Sequence, residues 1–164
     1  MLTAGQKKLL VELRSSLAEA VPEGQISESD YATKGYHLEL RLDKGGVRRV
    51  AQIMLDKRFM LETVTAADFI DSFELVYLYS TYNQQQVRLL TRIRIPKDVQ
   101  PFSVSAIFPA AIWLEREVYD FFGIRFQEHP DLKRIINPDD ADYFPLLKNF
   151  GKTKFTDQID DILC

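Results

Sequence analysis

Acidic and basic side chains crowd into one stretch of this chain. Residues 114–135 hold Glu115, Arg116, Glu117, Asp120, His129, Asp131 and Arg134, punctuated by Gly123 and Pro130. A carboxylate beside an imidazole can move protons, so Glu117 or Asp120 with His129 is a candidate acid/base pair. Arginine forks can instead grip the carboxylates of a partner chain by directional, two-pronged hydrogen bonds. The plainest reading is a solvated helix face made of Glu115, Arg116, Glu117 and Asp120, and composition alone favours it. Arg116 and Asp120 stand at i and i+4 on that face, where an exposed pair contributes only about 0.3–0.5 kcal/mol. The acid/base pair ranks last, because no nucleophile, metal set or oxyanion device accompanies it. His129-Pro130-Asp131 also has a structural reading: Pro130 sets the entry and Asp131 caps a turn through Leu132, Lys133 and Arg134.

Other chemistry finds no motif. The chain has no Gly-x-Gly-x-x-Gly run, no phosphate loop, no Cys-x-x-Cys and no Gly-x-Ser-x-Gly turn. His37 and His129 are its two histidines and Cys164 its single cysteine. A lone thiol can neither pair internally nor hold an iron–sulfur cluster. No nucleotide, flavin, cluster or metal site is therefore expected on this chain.

The elements that must position the charged stretch follow from periodicity. Thr3 and Gln6 form a capping box ahead of Leu9, Leu10, Leu13 and Leu17, which predicts a helix from Gly5 to Ala20. Residues 22–35 read as a loop or weak strand. Tyr36 to Leu42 alternates, with Tyr36, Leu38, Leu40 and Leu42 inward and His37, Glu39 and Arg41 on a wet face. Asp43-Lys44-Gly45-Gly46 breaks that strand. Val47, Val50, Ala51, Met54 and Leu55 then mark one side of an amphipathic helix.

Strands are expected over Phe59–Asp68, Phe73–Tyr82 and Val87–Ile95, the last two joined as a hairpin by Asn83-Gln84-Gln85. Residues 101–108 suggest a short helix. Pro109 suits the first turn of the next helix, which Gly123 ends. In that helix Leu114, Val118, Phe121 and Phe122 share one buried face, and Trp113, Arg116, Glu117 and Asp120 share another. From Ile124 onward the chain reads as irregular. The order α-β-α-β-β-β-α-tail argues for an α+β fold, with helices on one face of a mostly antiparallel sheet and an irregular C-terminal tail.

Composition is that of a soluble globular domain, with 46% apolar and 27% charged residues. The 164 residues suffice for one core without staples. A net charge of -3, with both signs interspersed, gives no electrostatic reason to expect nucleic acid. The stripe Arg88, Arg92, Arg94 lacks the exposed aromatics of an RNA-binding sheet and reads as a strand's wet face. Tyr77, Tyr79 and Tyr82 read as core or rim. No apolar run is long enough to cross a bilayer, and residues 1–8 show no signal-peptide pattern. A reducing, cytosolic setting fits, with any membrane association made through partners.

One resemblance covers the densest stretch. The run Glu115-Arg116-Glu117-x-x-Asp120-x-x-Gly123-Ile124-x-Phe126-x-x-His129-Pro130-Asp131-Leu132-x-Arg134-Ile135 closely resembles the signature of the C subunit of NADH-quinone oxidoreductase, the respiratory complex I family. The resemblance implies a single domain over 1–150 and a tail over 151–164. It implies a cofactor-free subunit of the hydrophilic arm, peripheral at the cytoplasmic face of the cell membrane and attached to it only through the complex. Its partners would be the large quinone-site subunit and the cluster-carrying subunits. Iron–sulfur clusters, with flavin and NADH or a nickel–iron site, would lie on other chains.

Glu115, Arg116, Glu117, Asp120, Gly123, Phe126, His129, Pro130, Asp131, Leu132 and Arg134 would be interface or interface-supporting residues, none of them catalytic. The family often continues with a His-Pro-Leu-Arg-Lys-Asp-Phe-like run. Here Phe144-Pro145-Leu146-Leu147-Lys148-Asn149-Phe150 stands instead, with Leu147 for the usual arginine and Asn149 for the usual aspartate. Related subunits occur in energy-converting hydrogenases and formate hydrogenlyases, which makes such a subunit the second expectation. A free-standing acid/base enzyme using Asp120 and His129 is the third.

Overall fold

The chain begins with helix α1 (Ala4–Ala20) and its expected cap. The Thr3 hydroxyl accepts from the Gln6 amide at 3.2 Å, and the Gln6 side chain accepts from the Thr3 amide at 2.8 Å. Two backbone donors that a helix start leaves unpaired are thereby satisfied. The structure, a computed structural model, describes residues 2–42, 45–82 and 86–151. Asp43-Lys44, the Asn83-Gln84-Gln85 turn, Cys164 and all of the expected tail except Gly151 lie outside those residues.

After α1 come β1 (Gln25–Glu28), the one-turn helix α2 (Tyr31–Lys34), β2 (Leu38–Leu42) and α3 (Val47–Asp56). Then follow β3 (Phe59–Asp68), β4 (Ser72–Thr81), β5 (Arg88–Pro96) and α4 (Ala111–Phe122). The sheet order is β1-β2-β5-β4-β3. Helix α3 carries the chain from β2 to the far edge, and the meander β3–β4–β5 brings it back beside β2. Two reversals leave β5 parallel to β3, and β5 also pairs parallel to β2; the other neighbours are antiparallel.

The register stacks apolar side chains on one face. Leu38 pairs with Leu89, Leu40 with Thr91 and Leu42 with Ile93, while Tyr77 lies opposite Thr91 and Leu75 opposite Ile93. Leu13 and Leu17 from α1, Val47, Val50, Ala51 and Met54 from α3, and Val118 and Phe122 from α4 close over that face in one core. Burying a side chain such as Leu17 contributes about 1.5–3 kcal/mol. The α+β class, the helices on one face and the mostly antiparallel sheet are as expected. From Gly123 to Gly151 the described chain is irregular apart from one bridge, at Gln127.

Several local expectations fail for identifiable reasons. Residues 22–35 hold both β1 and α2, because β1 pairs along β2 at the sheet edge. Residues 101–108 do not form a helix. Pro101 and Ser103 exchange backbone hydrogen bonds with Gln127, and the Val104 amide is taken by Glu115, so these groups serve other segments. Leu55 lies outside the buried stripe of α3, at 43% exposure.

The expected wet face of β2 is wet only at Arg41, which is exposed. His37 and Glu39 are buried, and Glu39 accepts from Tyr36, Arg41 and Arg92. The arginine stripe of β5 is neutralised from both sides: Arg88 pairs with Glu62, Arg92 with Glu39 and Glu74, and Arg94 with Asp71. Tyr77 and Tyr79 lie in the core, and Tyr82 is exposed.

Candidate functional site: the wired face of helix α4

Helix α4 ends where sequence places its stop. Gly123 adopts φ +76° and its amide donates to the Tyr119 carbonyl. A Cβ there would come within 2.8 Å of the Phe144 ring, so glycine serves both the left-handed turn and the close approach of the returning chain. The buried stripe differs from the expected one. Val118 and Phe122 are buried, but Leu114 and Phe121 are only half-buried. Glu115 and Asp120 are fully buried and Arg116 nearly so, which overturns the solvated-face reading for all but Glu117. Arg116 and Asp120 do not pair with each other; each binds a different part of the chain beyond Gly123.

Asp120 is the centre of one network. Its Oδ1 accepts from Arg134 at 2.9 Å and from the Asn137 side-chain amide at 3.0 Å. Its Oδ2 accepts from the backbone amides of Ile135, Ile136 and Asn137 at 3.1, 2.7 and 3.0 Å. Burial pushes this carboxyl's pKa up, but the Asn137 side chain, the Ile136 amide, Arg134 and the Asn137 amide outweigh it and hold the group far below its usual range. Arg134 is therefore a clamp inside the chain rather than a free fork. It also donates to the Ala141 and Tyr143 carbonyls and stacks over Phe144 at 4.9 Å. Arg116 donates to the Lys133 and Arg134 carbonyls and stacks on Trp113 at 4.7 Å. Together these bonds fasten residues 133–144 to α4.

Glu115 is the centre of a second network, on the inner side of the helix. It accepts from the Val104 amide at 2.8 Å and lies 2.5 Å from the Ser103 hydroxyl. Burial pushes its pKa up to about 7, with Ser103, Val104 and Arg48 opposing. His129, its side chain fully buried, lies 4.0 Å away. The His129 Nδ1 accepts from the Asp131 amide at 3.1 Å, which leaves Nε2 as the donor to the Ile112 carbonyl at 3.1 Å. Burial moves its pKa down.

Asp120 and His129 thus belong to different networks. Asp120 has both oxygens occupied and a pKa far from neutrality, so the two are not assembled as an acid/base pair. Among the described residues, no three His, Cys, Asp or Glu side chains come together to hold a metal ion.

The remaining candidates divide by depth. Phe126 is in the core and Leu132 packs against it, while Pro130 is exposed. Asp131 pairs with Lys133 at 3.0 Å and with Arg116 at 3.8 Å, and these contacts replace the expected cap. Sequence reasoning missed Ser103, Asn137, Arg48 and Phe144. Asn137-Pro138 carries a turn signal, and Ser103 and Ser105 stand between two prolines, but neither pattern names a carboxylate partner.

This is a domain whose charged signature residues mostly bind its own chain. The chain belongs to the family described as respiratory-chain NADH dehydrogenase, 30 Kd subunit, whose family model matches residues 40–156. It is similar to the C subunit of NADH-quinone oxidoreductase from Ruegeria pomeroyi, 40% identical over 101 residues, which cover 59% of this chain and 50% of that one. The corresponding C subunit from Parvibaculum lavamentivorans is 31% identical over 155 residues, covering 87% and 76%. NADH-ubiquinone oxidoreductase subunit 9 of Dictyostelium citrinum is 29% identical over 167 residues, covering 94% and 78%. The chain spans about half the length of several curated relatives it matches. A solved trypsin-resistant fragment of Nqo5 shares the fold, with TM-score 0.60 and 24% identity, over 77% of this chain and 98% of the fragment.

Proposed function

We propose that this chain is a cofactor-free bracing subunit in the hydrophilic arm of a complex I-type NADH-quinone oxidoreductase. It docks against the large quinone-site subunit and keeps that subunit aligned with its cluster-carrying neighbours. Electrons pass through iron–sulfur clusters, flavin and quinone on those other chains, and the geometry between them is set by protein contacts. The chain lies at the cytoplasmic face of the cell membrane and is held there by its partners. Among the described residues, no helix is long and apolar enough to cross a membrane. Residues 1–150 act as one unit, with 151–164 as its tail.

One observation carries this reading: five hydrogen-bond donors converge on buried Asp120 and hold residues 134–137 against α4. That wiring makes an irregular segment rigid and gives it a defined outer surface. Trp113 and Glu117 on α4 and Ile136 on the held segment are exposed, Trp113 and Ile136 at 62% and 61%. Glu117 is thus a contact residue, and Glu115, Arg116, Asp120, Gly123, His129 and Arg134 support the surface from beneath. Similarity to NADH-quinone and NADH-ubiquinone oxidoreductase subunits favours that branch over the hydrogenase branch.

The test is purification of the tagged full chain from membranes of its host, with co-purifying chains identified by mass spectrometry. Quinone-site and cluster-carrying subunits should appear with it, and Arg116→Ala with Arg134→Ala should lower their recovery while the isolated domain stays folded. A chain that emerges without such subunits, or a double variant that recovers them fully, refutes the reading.

A further inference from the structure

We propose that Glu115 is a proton-binding site, a buried carboxyl that alternates between neutral and ionised forms and passes the change to the Ser103–Ser105 hydroxyls. The site concerns this chain alone and stands or falls separately from the assembly reading.

Glu115 has no exposed surface, yet a hydrogen-bonded path leads outward from it. Its Oε2 meets the Ser103 hydroxyl at 2.5 Å, and Ser103 meets the Ser105 hydroxyl at 2.6 Å. Ser105 is 7% exposed, so the path approaches bulk water. The Ser105 amide donates to the Ser103 hydroxyl oxygen at 3.0 Å. This arrangement satisfies both protonation states.

When Glu115 is ionised, Ser103 donates to it and Ser105 donates to Ser103. When Glu115 is neutral, its own O–H donates to Ser103, and the Ser103 proton turns toward Ser105. The Ser105 amide bond to Ser103 and the Val104 amide bond to Oε1 persist in both. Only hydroxyl rotations and one proton separate the two forms, and that proton is exchanged with solvent at the Ser105 end.

The surrounding groups place the titration on Glu115. From α3, Arg48 favours the ionised form, while its own guanidinium is engaged by the Ser103 carbonyl and by Glu128. From β4, the buried Tyr77 and Tyr79 phenols are held neutral by burial and by the Glu115 charge. On α4 itself, Arg116 turns away to the Lys133 and Arg134 carbonyls. On the 127–131 turn, Glu128 is taken up by Arg48, and both His129 ring nitrogens are already bonded. A proton on His129 Nδ1 would break its bond from the Asp131 amide, which Arg116 and Lys133 hold nearby through the Asp131 carboxylate.

Burial is the largest influence on Glu115 and raises its pKa from 4.5 to about 7. A carboxyl raised in the folded state favours folding while it is neutral. That contribution is complete below pH 4.5 and is lost as pH rises through about 7. Glu115→Gln, which cannot ionise, should therefore gain stability relative to the parent chain on the alkaline side.

The test follows isotope-labelled glutamate carboxyls of the full chain by NMR from about pH 5 to about pH 9, the range that brackets a raised carboxyl. One glutamate should titrate near neutrality and vanish in Glu115→Gln. The Val104 and Ser105 amide signals should move with the same midpoint. Ser103→Ala, which removes a hydrogen bond favouring the ionised form, should raise the midpoint further. The proposal is overturned if every glutamate titrates in the ordinary carboxylate range, if the near-neutral signal survives in Glu115→Gln, or if those amides ignore it. The parent chain alone decides the first and third outcomes, should a variant fail to fold.

Discussion

Replacing Asp120 with alanine should release the irregular segment after α4 without melting the sheet. The substitution strands three backbone amides, at Ile135, Ile136 and Asn137, and leaves the Arg134 guanidinium without its carboxylate. Each orphaned buried donor costs about 1–3 kcal/mol, and breaking a buried ion pair costs about 3–5 kcal/mol. These costs overlap, because the segment can swing outward and rehydrate its donors. The opening free energy of residues 134–137 should therefore fall by about 3–5 kcal/mol.

Amide hydrogen exchange at Ile135, Ile136 and Asn137 reads that opening directly. Exchange should accelerate by about a hundredfold to several thousandfold, since 1.4 kcal/mol corresponds to about a factor of ten. Amides of β4 and β5 should keep most of their protection, because α4 remains anchored through Val118 and Phe122. In the parent chain the clamp should hold far into acid. A carboxyl whose folded pKa is depressed stabilises above its unfolded value of 3.8 and loses that contribution only as pH falls through the folded value. Parent-like protection at the three amides in Asp120→Ala would refute the clamp. Equal loss of protection across the sheet would refute its local character.

Gly123→Ala should destabilise by at least about 1–2 kcal/mol, because a left-handed backbone disfavours any Cβ and this one meets the Phe144 ring; urea midpoints at constant slope measure it. Leu17→Ala, at a fully buried position of α1, should cost about 2–5 kcal/mol in the same assay and leave the Asp120 clamp intact.

Apolar periodicity made most of the fold readable. The α1 capping box, the inward stripe of α3 except Leu55, strand β3 and the Gly123 stop all follow from local chemistry that acts within a few residues. Residues 101–108 did not follow it, because their backbone groups are used by Gln127 and Glu115, which are distant in sequence. Glu39 was misread for a similar reason: alternation says which face a residue takes, and Arg92 on a neighbouring strand decides whether that face is wet.

The charged stretch separates the two kinds of information most sharply. By itself the sequence determined that Glu115, Arg116, Asp120, His129 and Arg134 lie on one helix and the turn after it, and that their pattern resembles one family. Only the tertiary structure decided that Glu115 and Asp120 bind opposite sides of their surroundings, Glu115 to the 103–105 loop and Asp120 to residues 134–137. Spacing sets the direction in which a side chain leaves a helix. Whether it then meets water or a ring of donors depends on chain that returns from elsewhere, and no local pattern carries that information.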